Sequence, residues 1–217
     1  YEIAQGKILI EAVKEIEMSG CLKHFVFSSI CKAKNPLNNE PAPGHFSSKW
    51  DIEEYLHLNQ LSKITTILRP ASYFENFAGD LPGLKITDTK FPGVVKADKV
   101  WQTIAVQDIG IWTKAVFLNK NRFIGESINL AGEEMTGNQM AKVLEGLYKD
   151  KSKKITYNCI PRLLMKIFVR DIGVMADWIE RAQYGADLKA LRVMAYEEGI
   201  KITSLESWLK EKLKIVN

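Results

Sequence analysis

The chain has 217 residues, 46% of them hydrophobic and 26% charged, enough apolar material for a buried core and far from the composition of a disordered polymer. Its 30 basic and 26 acidic residues leave a formal charge of +4. That charge is scattered, and the densest basic run, Lys149, Lys151, Lys153 and Lys154 around Asp150, reads as a solvated turn with no nucleic-acid-binding spacing beside it, so direct nucleic-acid binding is not expected.

Cys21, Cys31 and Cys159 form neither a disulfide framework nor a C-x-x-C pair, which predicts no metal site and a reducing, cytoplasmic setting. No apolar run approaches the ~20 residues of a membrane span, and the first residues carry no basic and apolar leader, so a soluble, unexported protein is expected.

Along the chain, Ile8, Leu9, Ile10, Val13 and Ile16 fall at helical spacing, and Gly20 stands where such a helix would stop. His24-Phe25-Val26-Phe27-Ser28-Ser29 then reads as a short buried strand. Residues 32–44, rich in Asn and Pro, predict a loop, long for a strand-to-helix connection and therefore a candidate functional segment. A second helix is predicted from about His45 to Asn59, with Trp50, Ile52, Tyr55 and Leu56 on its apolar face. The strand at residues 64–69 follows, closed by Pro70, which cannot donate to a ladder. Strand, loop, helix and strand make a βαβ crossover and predict parallel strands.

Residues 79–93 contain Pro82, Gly83, Pro92 and Gly93 and predict an irregular segment. A strand at 100–106 leads to a helix starting near Asp108, with Ile109, Trp112, Ala115 and Val116 buried. Another strand is predicted at 127–132. Thr136-Gly137-Asn138-Gln139 fits a capping box opening a helix through Leu147. A short strand near 155–157, helical segments to about Glu198, and a closing helix behind a second capping box at 203–206 complete the chain. No glycine-rich dinucleotide turn follows any predicted strand. Gly132 and Gly137 imitate P-loop spacing, but Asn138-Gln139 stands where Lys and Ser/Thr are needed.

Three segments in register resemble the NmrA-like family of atypical short-chain dehydrogenases/reductases. They are the strand at 24–29; Gly44-His45-Phe46-Ser47-Ser48-Lys49 running into Ile52-Glu53-Glu54-Tyr55-Leu56; and Leu68-Arg69-Pro70-Ala71-Ser72-Tyr73-Phe74-Glu75-Asn76. Weaker similarity at 105–110 and 126–130 extends the match over most of the chain. The resemblance implies an α/β fold: the C-terminal part of a Rossmann-type NAD(P)-binding parallel sheet, at residues 1–80 and about 100–120. A smaller mixed α/β, mostly helical C-terminal subdomain for substrate or partner would take about 80–100 and 121–217. Family members begin with a βαβ unit bearing the glycine turn, so roughly one third of a typical domain is expected to be missing here. The chain accordingly reads as an N-terminally truncated fragment or a split reading frame.

In ordinary short-chain dehydrogenases a tyrosine four residues before a lysine places phenol and ammonium on one helix face, and the lysine lowers the phenol pKa for proton transfer. Here that pair is His45 and Lys49. The resemblance assigns Lys49 to the nicotinamide ribose. His45 is either an altered acid/base, since histidine exchanges protons near neutral pH, or a polar residue at a helix start. Ser28 and Ser29 stand at a strand end, where open α/β sheets bind ligands. Pro70, Ala71, Ser72, Tyr73 and Asn76 resemble the segment that passes the nicotinamide and substrate pocket.

The implied function is a dinucleotide-binding redox sensor or regulator, taking NADP(H) or NAD(H) and a regulatory protein partner, with little or no dehydrogenase activity. The alternatives are an NAD(P)-dependent oxidoreductase with His45 in place of tyrosine, and a cofactor-free fragment. The absent glycine turn predicts weak dinucleotide binding by these residues alone.

Overall fold

The computed structural model describes residues 1–31, 43–79, 84–150, 152–168 and 170–213, so most of the loop expected at 32–44 lies outside the described residues. The opening helix forms as α1 (Glu2–Met18), yet only Ile10 and Val13 are buried, while Ile8, Leu9 and Ile16 are exposed. The reason is angular. At about 100° per residue Ile8 falls about 160° around the helix from Ile10, so the apolar residues of α1 do not make one stripe.

The first sheet carries the predicted crossover. β1 (Phe25–Ser28) runs parallel to β2 (Thr65–Pro70), with Phe25 opposite Thr65 and Ser28 opposite Leu68. β2 runs parallel to β6 (Ser127–Leu130), with Pro70 opposite Leu130. The order is β1-β2-β6. Between β1 and β2 the chain forms α2 (Gly44–Leu58) and a 3-10 turn (Leu61–Ile64). Against α1 and this sheet, Ile10, Val13, Phe27, Ile52, Leu56, Leu61 and Ile67 pack as a small core. Gly6 lets the two helices meet, because a Cβ there would overlap the Ile52 side chain.

Of the expected inward face of α2, Ile52 and Leu56 are buried and Trp50 and Tyr55 only partly so, whereas Phe46 and Glu53 are buried in addition. Glu53 is fully buried without being stranded. Arg69 on β2 grips it with two N–H groups, Nε reaching Oε2 at 3.1 Å and Nη2 reaching Oε1, and the guanidinium lies 5.5 Å from the Trp50 ring. This pair ties the middle of α2 to the middle of the sheet.

A second sheet holds β3 (Ser72–Tyr73), β5 (Val100–Ile104) and β7 (Glu133–Thr136), with β3 parallel and β7 antiparallel to β5. A 3-10 turn (Phe74–Ala78) follows β3. The segment at 79–93 is not irregular throughout. Residues 80–83 lie outside the described ones, but β4 (Lys90–Gly93) pairs in parallel with β8 (Thr156–Cys159). Pro92 is tolerated there because, among the described residues, β4 has a neighbour on one side only. β6 completes the first sheet, and β5 lies in the second.

The remaining helices are α3 (Val106–Leu118), α4 (Lys120–Phe123), α5 (Gly137–Leu147), α6 (Arg162–Phe168), α7 (Arg170–Ala182), α8 (Leu188–Glu197) and α9 (Leu205–Leu213). The capping box at Thr136 and Gln139 forms as read. The second does not. Ser204 Oγ, not Thr203, accepts the Ser207 N–H, while Thr203 gives its backbone N–H and its hydroxyl to Asp108 at 2.8 and 2.7 Å. Asp108 is fully buried in the first turn of α3, and thereby ties that turn to the entrance of α9. The large core, with Phe74, Phe77, Phe91, Trp112 and Phe123, runs from the sheets into the C-terminal helices. No helix of the described residues is long and apolar enough to cross a membrane, and none of their His, Cys, Asp and Glu side chains cluster as a metal site would.

Candidate functional site

Because β1 and β2 are parallel, their carboxyl ends leave the first sheet on the same side, and the chain then diverges toward α2 and toward the second sheet. Such divergence beyond the carboxyl ends of parallel strands is where open α/β sheets hold ligands. A cleft of about 410 Å³ lies there. Ser28, Ser29 and Ile30 line it from the end of β1, and His45, Phe46 and Lys49 from the first turns of α2. Pro70, Ala71, Ser72, Tyr73 and Asn76 line it from the end of β2 onward, and Glu2, Met175 and Tyr184 complete it. The nine site residues expected from the sequence all line this one space.

Lys49 and His45, four residues apart, share one face of α2. The Lys49 ammonium lies 2.9 Å from Glu2 Oε1, and the Ser48 hydroxyl donates to the other Glu2 oxygen. The Ser48 bond first, then the Lys49 partner, hold the Glu2 carboxyl below its ordinary range. The His45 ring packs edge-on against Phe46 at 4.7 Å. Loss of water lowers the His45 pKa, against the opposing pull of Asp171 and Glu2, and so favours the neutral ring.

Tyr73 stands on the other wall, 38% exposed, its phenol raised by burial with the Lys49 charge acting in the opposite direction. Ser29 is buried, and its hydroxyl has no hydrogen-bond partner among the described residues. Ser72 is buried as well. Its oxygen accepts the Trp101 indole N–H at 2.9 Å and lies 2.6 Å from the Tyr184 hydroxyl. Burial holds the Tyr184 phenol well above its usual range. Behind the cleft, the rings of Phe46, Trp178 and Tyr184 meet edge to face, with Phe46 and Trp178 5.1 Å apart and Trp178 and Tyr184 6.0 Å apart.

Sequence reasoning did not find Glu2, Ile30, Phe46, Met175 and Tyr184. Phe46 was within reach, since it follows His45 in the same motif. Met175 and Tyr184 come from about the carboxyl-terminal fifth of the chain, and no spacing connects them to β2. Glu2 sits in the first turn of α1, where an acidic side chain already suits the helix dipole, so its second role left no separate mark.

The family model described as the NmrA-like family matches residues 1–209. An NmrA-like family domain-containing protein of Dictyostelium discoideum is 25% identical, over 92% of this chain and 67% of its own length. Among solved structures, NmrA, a negative transcriptional regulator, superposes with a TM-score of 0.70 at 16% identity, covering 99% of this chain and 73% of its own. NmrA has also been solved in complex with NAD and with NADP. The triphenylmethane reductase of Citrobacter sp., complexed with NADP(H), gives a TM-score of 0.70 at 14% identity, covering 97% and 70% of the two chains. At these identities the solved structures establish the fold, a Rossmann-type α/β architecture.

Proposed function

The chain belongs to the NmrA-like family, and from that premise we propose that its cleft is the ribose and nicotinamide side of a dinucleotide site for NADP(H) or NAD(H). Its role is to report the redox state of the dinucleotide to a protein partner, with little or no dehydrogenase turnover. One observation carries this reading. Lys49 is kept in the cleft beyond the parallel strand ends, while His45 occupies the position from which a phenol would exchange the proton.

The donor set fits such a ligand. Lys49, Ser28 and Asn76 present groups suited to ribose hydroxyls and a carboxamide, and Ser29 holds a buried hydroxyl without a partner among the described residues. The solved complexes of NmrA with NAD and NADP support the cofactor class. That NmrA is a negative transcriptional regulator supports the sensing role.

The test is titration with NADPH, NADP, NADH and NAD while the cleft resonances are followed by NMR, then an oxidation assay over a panel of carbonyl substrates. Binding that shifts the signals of Lys49 and Asn76 without consumption of NADPH is the expected result. No perturbation of the cleft by any of the four sinks the dinucleotide reading and leaves the cofactor-free one.

A second reading has its own support. His45 lines the same cleft four residues before Lys49, and loss of water favours its neutral form, the form that accepts a proton. Steady NADPH oxidation, abolished by both Lys49→Ala and His45→Gln, would make the protein an oxidoreductase in which histidine replaces tyrosine.

A further inference from the structure

The hydrogen-bonded string in the wall of the cleft carries one hydrogen too many. Trp101 Nε1–H donates to Ser72 Oγ, and an indole has no acceptor, so one acceptor site of Ser72 is filled. Ser72 Oγ and Tyr184 OH are 2.6 Å apart, a distance that places one hydrogen between them. Two hydroxyls own two hydrogens. Whichever group donates within the pair, the other O–H has no acceptor among the described residues. Ser72 and Tyr184 are 7% and 4% exposed, so bulk water does not readily serve them, and both line the cleft.

The direction of the string follows from cooperativity. A run from Trp101 to Ser72 to Tyr184 lets each hydroxyl accept once and donate once, and such chains strengthen one another. The unspent donor is then the phenol. It lies beside an apolar wall, with Phe46 6.2 Å from the Tyr184 ring and Met175 and Ile30 lining the same space. The cation available to an anionic ligand, Lys49, is already paired with Glu2, so a neutral acceptor suits the place better than a carboxylate.

We infer that Tyr184, oriented by Ser72 and Trp101, donates a hydrogen bond to the carbonyl oxygen of a flat, apolar, ring-bearing molecule held against Phe46 and Met175. No proton is transferred, because burial keeps the phenol protonated. Two sources share this chemistry: the carboxamide of a nicotinamide ring, and the carbonyl of a separate aromatic compound. The inference rests on the cleft being a ligand site, but not on a dinucleotide filling it.

The experiment compares matched probes on the 217-residue chain: acetophenone and nicotinamide, which carry a carbonyl oxygen, against ethylbenzene, which does not. Acetophenone is expected to bind roughly three- to tenfold more tightly than ethylbenzene, the range of one neutral hydrogen bond. Tyr184→Phe removes that advantage and leaves ethylbenzene unchanged, since Ser72 stands one hydrogen-bond length further back. Ser72→Ala reduces the advantage without abolishing it. In the unmutated chain the Cζ resonance of 13C-labelled Tyr184 moves with acetophenone and not with ethylbenzene, which tests the contact even if the variant folds poorly.

Equal affinities, absence of binding by both probes, or an advantage that survives Tyr184→Phe overturns the inference. Where acetophenone moves the Tyr184 signal, its displacement by nicotinamide with the Tyr184 shift retained assigns the donor to the carboxamide; an acetophenone shift that persists beside bound nicotinamide assigns it to a second compound. A carbonyl preference without dinucleotide binding upholds this inference and defeats the proposed function. Dinucleotide binding without that preference does the reverse.

Discussion

The Lys49 ammonium lies 2.9 Å from the Glu2 carboxylate, so the cleft's lysine is held from the first turn of α1 and not only by its own helix. Both side chains are 42% exposed, and a pair in that setting contributes under about 1 kcal/mol to stability. Its weight is therefore in ligand binding. Glu2→Gln is expected to leave the melting temperature nearly unchanged at neutral pH and to tighten NADPH binding, because a competing anion is removed while Lys49 stays.

The same variant carries a pH signature. The folded-state pKa of Glu2 is depressed from its ordinary 4.5, chiefly by the Ser48 hydroxyl and then by Lys49. Its contribution is thus present above pH 4.5 and is lost as pH falls through the lower folded value. Denaturant unfolding between pH 5 and pH 3 checks this, with Glu2→Gln showing a shallower loss of stability than the parent chain. Parallel curves would refute it.

Gly6 lies where α1 and α2 meet, and a Cβ there overlaps Ile52. Alanine in place of glycine gains up to about 1 kcal/mol of helix propensity, but overpacking costs about 1–3 kcal/mol, so packing decides the sign. Gly6→Ala is expected to destabilise, and pairing it with Ile52→Val to recover part of the loss. Chemical denaturation of the two variants measures both effects.

Arg69 and Glu53 form a buried pair whose halves depend on each other. Arg69→Met leaves the fully buried Glu53 carboxylate to the His57 ring, 3.7 Å away, and is expected to cost about 3 kcal/mol. The double variant Arg69→Met with Glu53→Leu removes both charges and should recover most of that. If the double variant is as unstable as the single, the pair acts through packing on Trp50 instead.

Dinucleotide affinity of these 217 residues should be modest, because no glycine-rich pyrophosphate turn occurs in the sequence. With a dissociation constant no better than about 1 mM, 1 mM NADPH stabilises the chain by at most about 0.4 kcal/mol. A micromolar constant would be decisive against this. Lys49→Ala is expected to abolish what binding there is, while His45→Gln leaves it largely intact if His45 takes no part in holding the ligand.

The crossover and the cleft's first wall were legible in the sequence because the relevant signals are local. A strand ending in Ser28-Ser29, a helix opening at His45 and a strand stopped at Pro70 are each a matter of neighbours along the chain, and parallel pairing then aligns their ends. The capping box at Thr136 was legible for the same reason; that at Thr203 was not, since Asp108, 95 residues away, takes the threonine's hydrogen bonds. The spacing located α1 but not its buried side, because helical spacing shows which residues recur, and not which side the neighbouring elements cover.

From the sequence alone came the βαβ crossover, through local periodicity, and the family resemblance, through short motifs, and the resemblance in turn pointed to most of the nine expected residues that line the cleft. Only the tertiary structure decided that Glu2 holds Lys49, that Arg69 neutralises Glu53, and that Tyr184 reaches Ser72 across 112 residues of chain. Such contacts depend on how separate layers pack, and side chains that meet through packing carry no common spacing from which their meeting could be read.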